Sequence, residues 1–185
     1  MIFIGFDPDL HYPSYGVVQV FSDRTFKILD MGCLDIKAKL KGYDAVSAIC
    51  AQLPDECSEV AQTILGEAPQ EVHMYCEAMI VRPRQREAVN GLLKLQVTSG
   101  AFAATMSALL VPELTKAYFV APHEWKGDVP KDIHQKRILR KFQIERKDLG
   151  LPEKYAKHVV DALGIAHWAA EKHIGKGLTP ATPVI

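Results

Sequence analysis

The spacing of apolar and polar residues changes along the chain, and each change marks an element. Ile2-Phe-Ile-Gly-Phe is almost continuously apolar, as a strand buried on both faces should be. It ends at Asp7-Pro8, where proline stops the ladder. Residues 15–21 and 26–34 are strand-like and are joined by a polar turn at residues 22–25, which predicts a three-stranded antiparallel meander. The period then lengthens. Asp44 caps a helix carrying Val46, Ile49 and Leu53; Pro54 ends or kinks it, and Val60, Ala61, Ile64 and Leu65 continue it to Gly66. Residues 71–77 form a fourth strand, again ending in an acid, Glu77. A long helix follows over about residues 84–110, with Leu92, Leu95, Ala103 and Met106 among its apolar positions. Residues 116–121 make a fifth strand, Pro130 starts a short basic helix, and Pro152 opens the last helix. The order β-β-β-α-β-α-β-α predicts an α/β fold with a mixed five-stranded sheet flanked by helices. One domain spans residues 1–174, and residues 175–185 form a loose tail.

Composition narrows the class without changing the architecture. With 48 % apolar and 24 % charged residues, the chain is ordinarily globular. Its apolar runs are too short to span a membrane, and the N-terminus reads as a strand, not a signal peptide. Cys33, Cys50, Cys57 and Cys76 have neither zinc-knuckle nor disulfide spacing, which points to a reduced, intracellular protein. The net charge is zero, but residues 1–75 carry 11 acidic and 5 basic side chains and the remainder 11 and 17. A phosphate-binding surface would therefore be built from the second half. A merely dipolar surface fits the same counts.

Candidate chemistry centres on the last helix. His158 and Asp161 are three residues apart at the edge of an apolar stripe, so their Cβ atoms are roughly 5–6 Å apart. Alone, the pair reads as a half-exposed surface feature more readily than as a ligand pair. Asp7 and Glu77, however, both end strands, where sheets of this kind place functional groups. If those strands are neighbours, three carboxylates and an imidazole converge. Such a cluster repels itself or protonates unless cations hold it together. Hard oxygen ligands suit Mg²⁺ or Mn²⁺, and two such ions clamp both reacting oxygens of a phosphodiester.

Four segments, in order, also resemble one family. Residues 7–18 (DPDLHYPSYGVV) resemble the opening of RuvC-type Holliday junction resolvases, residues 72–77 their second acidic strand, and residues 92–102 the helix that follows. His158-x-x-Asp161-Ala-Leu-x-Ile-Ala resembles their C-terminal catalytic motif. The resemblance implies an RNase H-like fold, a homodimer, branched DNA as partner, and Mg²⁺-dependent symmetric nicking of four-way junctions. It assigns Asp7, Glu77, His158 and Asp161 to catalysis and to two metal ions; a nitrogen ligand at His158 would favour Mn²⁺ over Mg²⁺. There are departures. Asp9 stands where glycine is usual, as an exposed loop acid or an outer ligand, and Pro13-Ser14 replaces Thr-Gly. Ile80 occupies the place of a junction-wedging aromatic, and acts as a wedge or simply packs. These suggest a divergent member, of a kind a phage could encode, working in the cytoplasm of a bacterium or an infected host.

Arg82, Arg84 and Arg86 form a short basic loop after Glu77, suited to bidentate phosphate contacts or to plain solubility. Lys126, Lys131, Lys136, Arg137 and Arg140, with Lys141, populate the segment after the fifth strand as a DNA-contacting or merely solvated face. Of these, Lys126 and Lys131 are candidates to reach the scissile region. Trp125 and Trp168 read as core or as base-stacking groups, and His73 as core or as a partner of the site. The small residues Ser99-Gly100-Ala101 suit a dimer contact or packing on the sheet. Rival functions are a nuclease of the same fold acting on an RNA·DNA hybrid or a fork, and a catalytically silent junction-binding module. A sugar-kinase or actin-like ATPase would need glycine-rich phosphate loops and a second domain, which the chain lacks.

Overall fold

The chain builds a sheet of strand order β5-β4-β1-β2-β3-β6 in a computed structural model that describes residues 1–34, 43–67, 70–78 and 89–181. β1 (Ile2–Asp7), β2 (Ser14–Val20) and β3 (Thr25–Cys33) form the expected antiparallel meander. Leu29 is bulged from the β2–β3 ladder, where the register shifts between Val17 and Val18. β4 (Val72–Glu77) lies parallel to β1, and β5 (Thr115–Val120) parallel to β4. The register pairs Phe6 with Cys76, so the two acidic strand ends come out side by side.

Alternation along the strands divides the core into two layers. Ile2, Ile4 and Phe6 of β1 and Val72, Met74 and Cys76 of β4 pack against α1 (Tyr43–Leu65) and α2 (Val89–Leu109). Phe6 stacks on Phe102 with ring centroids 3.9 Å apart. Phe3, Val18, Phe26 and Tyr75 face the opposite way, toward α5 (Glu153–Ile174). Asp7 and Glu77 have the parity of this second layer. α5 is covered in turn by α3 (Pro122–Lys126) and α4 (Lys131–Phe142), so its middle is buried all round, from His158 to His167. This explains why its polar residues His158, Asp161 and His167 sit inside.

The approach of α5 to the sheet depends on two glycines opposite each other in the β1–β2 register, Gly5 and Gly16. A Cβ at Gly5 would overlap the carbonyl oxygen of Ala162 and lie 2.6 Å from the amide nitrogen of Ala166. One at Gly16 would lie 2.9 Å from the amide nitrogen of Leu163. Backbone therefore rests on backbone here, and the N-terminal half of α5 is carried out over the end of β1.

The structure departs from the sequence reading in a few places. Part of the tail joins the sheet: β6 (Thr179–Pro180) pairs in parallel with Thr25 and Phe26, giving six strands among the described residues instead of five. Two residues leave no periodicity to read. Pro54 lies within one continuous α1 and does not end it. The start expected for the long helix, residues 84–88, lies outside the described residues. No helix among those described is long and apolar enough to cross a membrane.

Candidate active site

Asp7, Glu77, His158 and Asp161 come together where β1 and β4 end beneath the first turns of α5. They are 8, 7, 7 and 3 % exposed respectively. Burial at this depth demands partners for each charge, and each has one. Asp7 Oδ2 and His158 Nδ1 share a hydrogen bond of 2.9 Å. Lys131 Nζ lies 2.6 Å from Asp161 Oδ2, and Lys126 Nζ lies 3.8 Å from Glu77 Oε1. Among the described residues, no three of His, Cys, Asp or Glu are drawn to a spacing that would hold one ion. Internal cations and donors balance the carboxylates instead.

The balance is incomplete. Burial raises the Asp7 carboxyl above the ordinary range; the His158 hydrogen bond and charge and the Lys131 charge oppose the shift, while Asp161 adds to it. Burial also pushes Glu77 up to about 7, with repulsion from Asp7 and Asp161 against the pull of Lys126. The Trp125 indole N–H favours ionised Glu77 too, but it is buried without a hydrogen bond of ordinary length. Burial draws Lys131 down, yet the charge and hydrogen bond of Asp161 outweigh it and leave the ammonium above its usual range.

A stability prediction follows from Glu77. Its folded pKa is raised above the ordinary 4.5 to about 7. The stabilisation it contributes is therefore complete below pH 4.5 and is lost as pH rises through 7. At about 1.4 kcal/mol per unit, the loss is about 3 kcal/mol. His73, His134, His167 and His173 have lowered values and titrate in the opposite sense, so the difference between proteins isolates the effect. In chelator, Glu77→Gln should gain about 3 kcal/mol on wild type between pH 4.5 and 8 in urea denaturation. Parallel stability curves for the two proteins would contradict the assignment.

Comparison with solved structures identifies the architecture. Thermus thermophilus RuvC in complex with Holliday junction substrate aligns with a TM-score of 0.63 and 20 % identity, over 95 % of this chain and 97 % of that one. The chain has the RuvC fold. A second T. thermophilus RuvC structure gives 0.62 at 18 % identity over the same shares. Fowlpox virus resolvase, solved with substrate Holliday junction DNA, gives 0.51 at 11 %, over 94 % of this chain and 99 % of that one. No protein-family model and no curated protein matches the sequence. The RNase H-like α/β architecture expected from the sequence is thus present, with one additional strand.

On this RuvC fold the remaining candidates fall into place unevenly. Asp9 is part-buried: Oδ1 accepts the backbone N–H groups of His11 and Tyr12 at 2.8 and 3.0 Å, and Oδ2 faces His158 Nε2 at 3.8 Å. It caps its loop and backs the imidazole, and is not a freely exposed acid. Lys126 and Lys131 are at the site. Lys136, Arg137 and Arg140 are exposed on α4 and make no ion pair among the described residues, whereas Lys141 is engaged by Glu171 at 3.1 Å. Ile80, Arg82, Arg84 and Arg86 lie outside the described residues. Trp125 is core, beside Glu77, and Trp168 is half-buried with its ring edge-on to Tyr75. His73 is core, stacked on Phe3 and bonded to Glu71 at the far end of β4. Ser99 turns inward, its hydroxyl donating to the Glu77 carbonyl at 2.9 Å. Sequence reasoning missed Gln135, whose buried amide bonds to Asp161. Its one signal was a polar residue on the apolar face of an otherwise basic helix.

Proposed function

We propose that this chain is a metal-dependent, structure-selective endonuclease that resolves four-way DNA junctions by paired symmetric nicks, acting as a homodimer. One observation carries the reading. Two buried carboxylates end adjacent parallel strands, and a third carboxylate and an imidazole are laid over them, on a fold shared with proteins solved on junction DNA. The residues fit divalent cations chemically: three hard carboxylates lie within electrostatic reach of one another, and two are raised by burial that bound cations would offset. Asp7, Glu77 and Asp161 would hold two Mg²⁺ or Mn²⁺ ions, with His158 as a nitrogen ligand or as the group orienting water. When bound, such ions neutralise the attacking and leaving oxygens of a phosphodiester during in-line hydrolysis.

The chain's own groups supply the rest. His158 fixes Asp7 through Nδ1, which leaves Nε2 facing Asp9 and free to orient water. Lys131 and Lys126 now balance Asp161 and Glu77. With bound cations in that role, both ammonium groups would be available to phosphate. Lys136, Arg137 and Arg140 extend the cationic surface along α4, as backbone binding requires. Half-exposed Leu93 and Val97 on the outside of α2 support self-association.

The test is incubation with labelled four-way, forked, RNA·DNA hybrid and linear substrates in Mg²⁺ or Mn²⁺. Paired nicks at the four-way junction that ligase can reseal are expected, with little cutting of the other three. Preferential cutting of forks or hybrids would keep the site and replace the substrate. Tight binding without product in either metal would turn the reading to a silent junction-binding module.

A further inference from the structure

The carboxylate of Asp161, on α5, is held from α4. Lys131 and Gln135 are four residues apart and so share one face of α4. Lys131 takes Oδ2 at 2.6 Å, and the Gln135 amide donates to Oδ1 at 2.8 Å. The same amide nitrogen donates to the Lys157 carbonyl at 2.9 Å, one turn earlier on α5. At the other end, Arg146 Nη2 donates to Gln135 Oε1 at 2.6 Å, and Arg146 Nη1 lies 3.4 Å from Glu153 Oε1. Gln135 is 2 % exposed and all of these bonds are formed.

The chemistry of the partners fixes which way the amide points. A guanidinium has no acceptor, so it can meet only the carbonyl oxygen of Gln135. An ionised carboxylate and a backbone carbonyl have no donor, so they can meet only the NH₂. Reversing the amide would break all three bonds at once. A buried group left unpaired costs roughly 1–3 kcal/mol, so the orientation is locked. We infer that Gln135, oriented by Arg146, is the positioning residue that fixes the Asp161 carboxylate and leaves only Oδ2 to face the reaction centre. This rests on the nuclease reading and adds a residue to it. Outer partners of this kind set the rotamer of a ligand before the ion arrives, and losing one typically lowers metal affinity about 10–100-fold.

The experiment measures Mn²⁺ binding to the intact protein without DNA, by the loss of the free-ion electron paramagnetic resonance signal. Gln135→Met keeps the side-chain volume and removes the bonds. Arg146→Met leaves Gln135 in place and removes only the partner of its carbonyl oxygen, from a more exposed position. Gln135→Met is expected to bind Mn²⁺ about 10–100-fold more weakly, and Arg146→Met to shift in the same direction by less. Junction cleavage should then need more Mn²⁺ for half-maximal rate, with the rate at saturating Mn²⁺ largely recovered. That split separates positioning from general damage, which would lower the saturated rate. Wild-type affinity in both variants would overturn the assignment of Gln135 alone. Wild-type protein that binds no Mn²⁺ would overturn it together with the metal-dependent reading.

Discussion

Asp7→Asn should lower junction cleavage by about 10²–10³-fold, the usual cost of losing one preorganised group at a reaction centre. Junction binding should be unchanged, because the substitution touches none of the exposed cations on α4. Asparagine has the same shape and can still accept the His158 hydrogen bond, so the local geometry survives. What disappears is one buried negative charge. That charge is the main repulsion acting on Glu77 after burial itself. Its removal should let the Glu77 carboxyl fall back toward its ordinary range and should make the metal-free protein more stable above pH 7. The variant is therefore expected to be less active and more stable, a combination that a damaged fold cannot produce. Gel separation of nicked junctions and urea denaturation in chelator measure the two halves. Wild-type cleavage by Asp7→Asn would remove Asp7 from the catalytic group and, with it, the case for a metal cluster.

Much of this site was legible as residue types at the ends of elements. An acid closing an apolar run, seen at Asp7 and again at Glu77, marks the carboxyl end of a buried strand whatever the fold. His158 and Asp161 share a helical face by spacing alone. The sequence could not say that β4 lies beside β1, because strand order is set by helices crossing the sheet and not by local pattern. The parallel register of Phe6 with Cys76 supplies that step. Burial of Asp161 was anticipated only as the edge of a stripe; the second cover provided by α3 and α4 makes it complete. Gln135 escaped for a related reason. Its function depends on Lys157, Asp161 and Arg146, which come from two other elements, and a glutamine in a basic helix reads as surface until its contacts are known. The sixth strand escaped because two residues, Thr179 and Pro180, cannot show alternation. Gly5 was visible as an interruption in an apolar run, but what approaches it was not.

That approach sets the second large effect. Gly5→Ala should destabilise the protein by about 3 kcal/mol or more, the upper end of the range for overpacking. The added methyl meets the carbonyl oxygen of Ala162 and the amide nitrogen of Ala166, which are backbone atoms of a buried helix. No rotamer change relieves such a clash, so α5 must lift or the strand must bend. For a domain of this size, the loss corresponds to a fall in melting temperature of roughly 6–12 °C. Gly16→Ala presses on the same helix at Leu163, one strand away. Once either substitution lifts α5, the other finds room, so the double variant should cost less than the sum. Gly100→Ala is the counter-case: it lies inside α2, and a Cβ there has nothing within 4 Å. It should leave stability unchanged or raise it by up to about 1 kcal/mol through helix propensity. The Gly5 effect reaches the chemistry because the contact lies one helical turn from Asp161 and at the same end of the sheet as Asp7. Folded Gly5→Ala, assayed well below its melting temperature, should therefore cleave poorly, since lifting α5 parts His158 from Asp7. Full activity in a folded Gly5→Ala variant would mean that the helix and strand adjust independently. The backbone contact would then be a packing feature with no part in aligning the site.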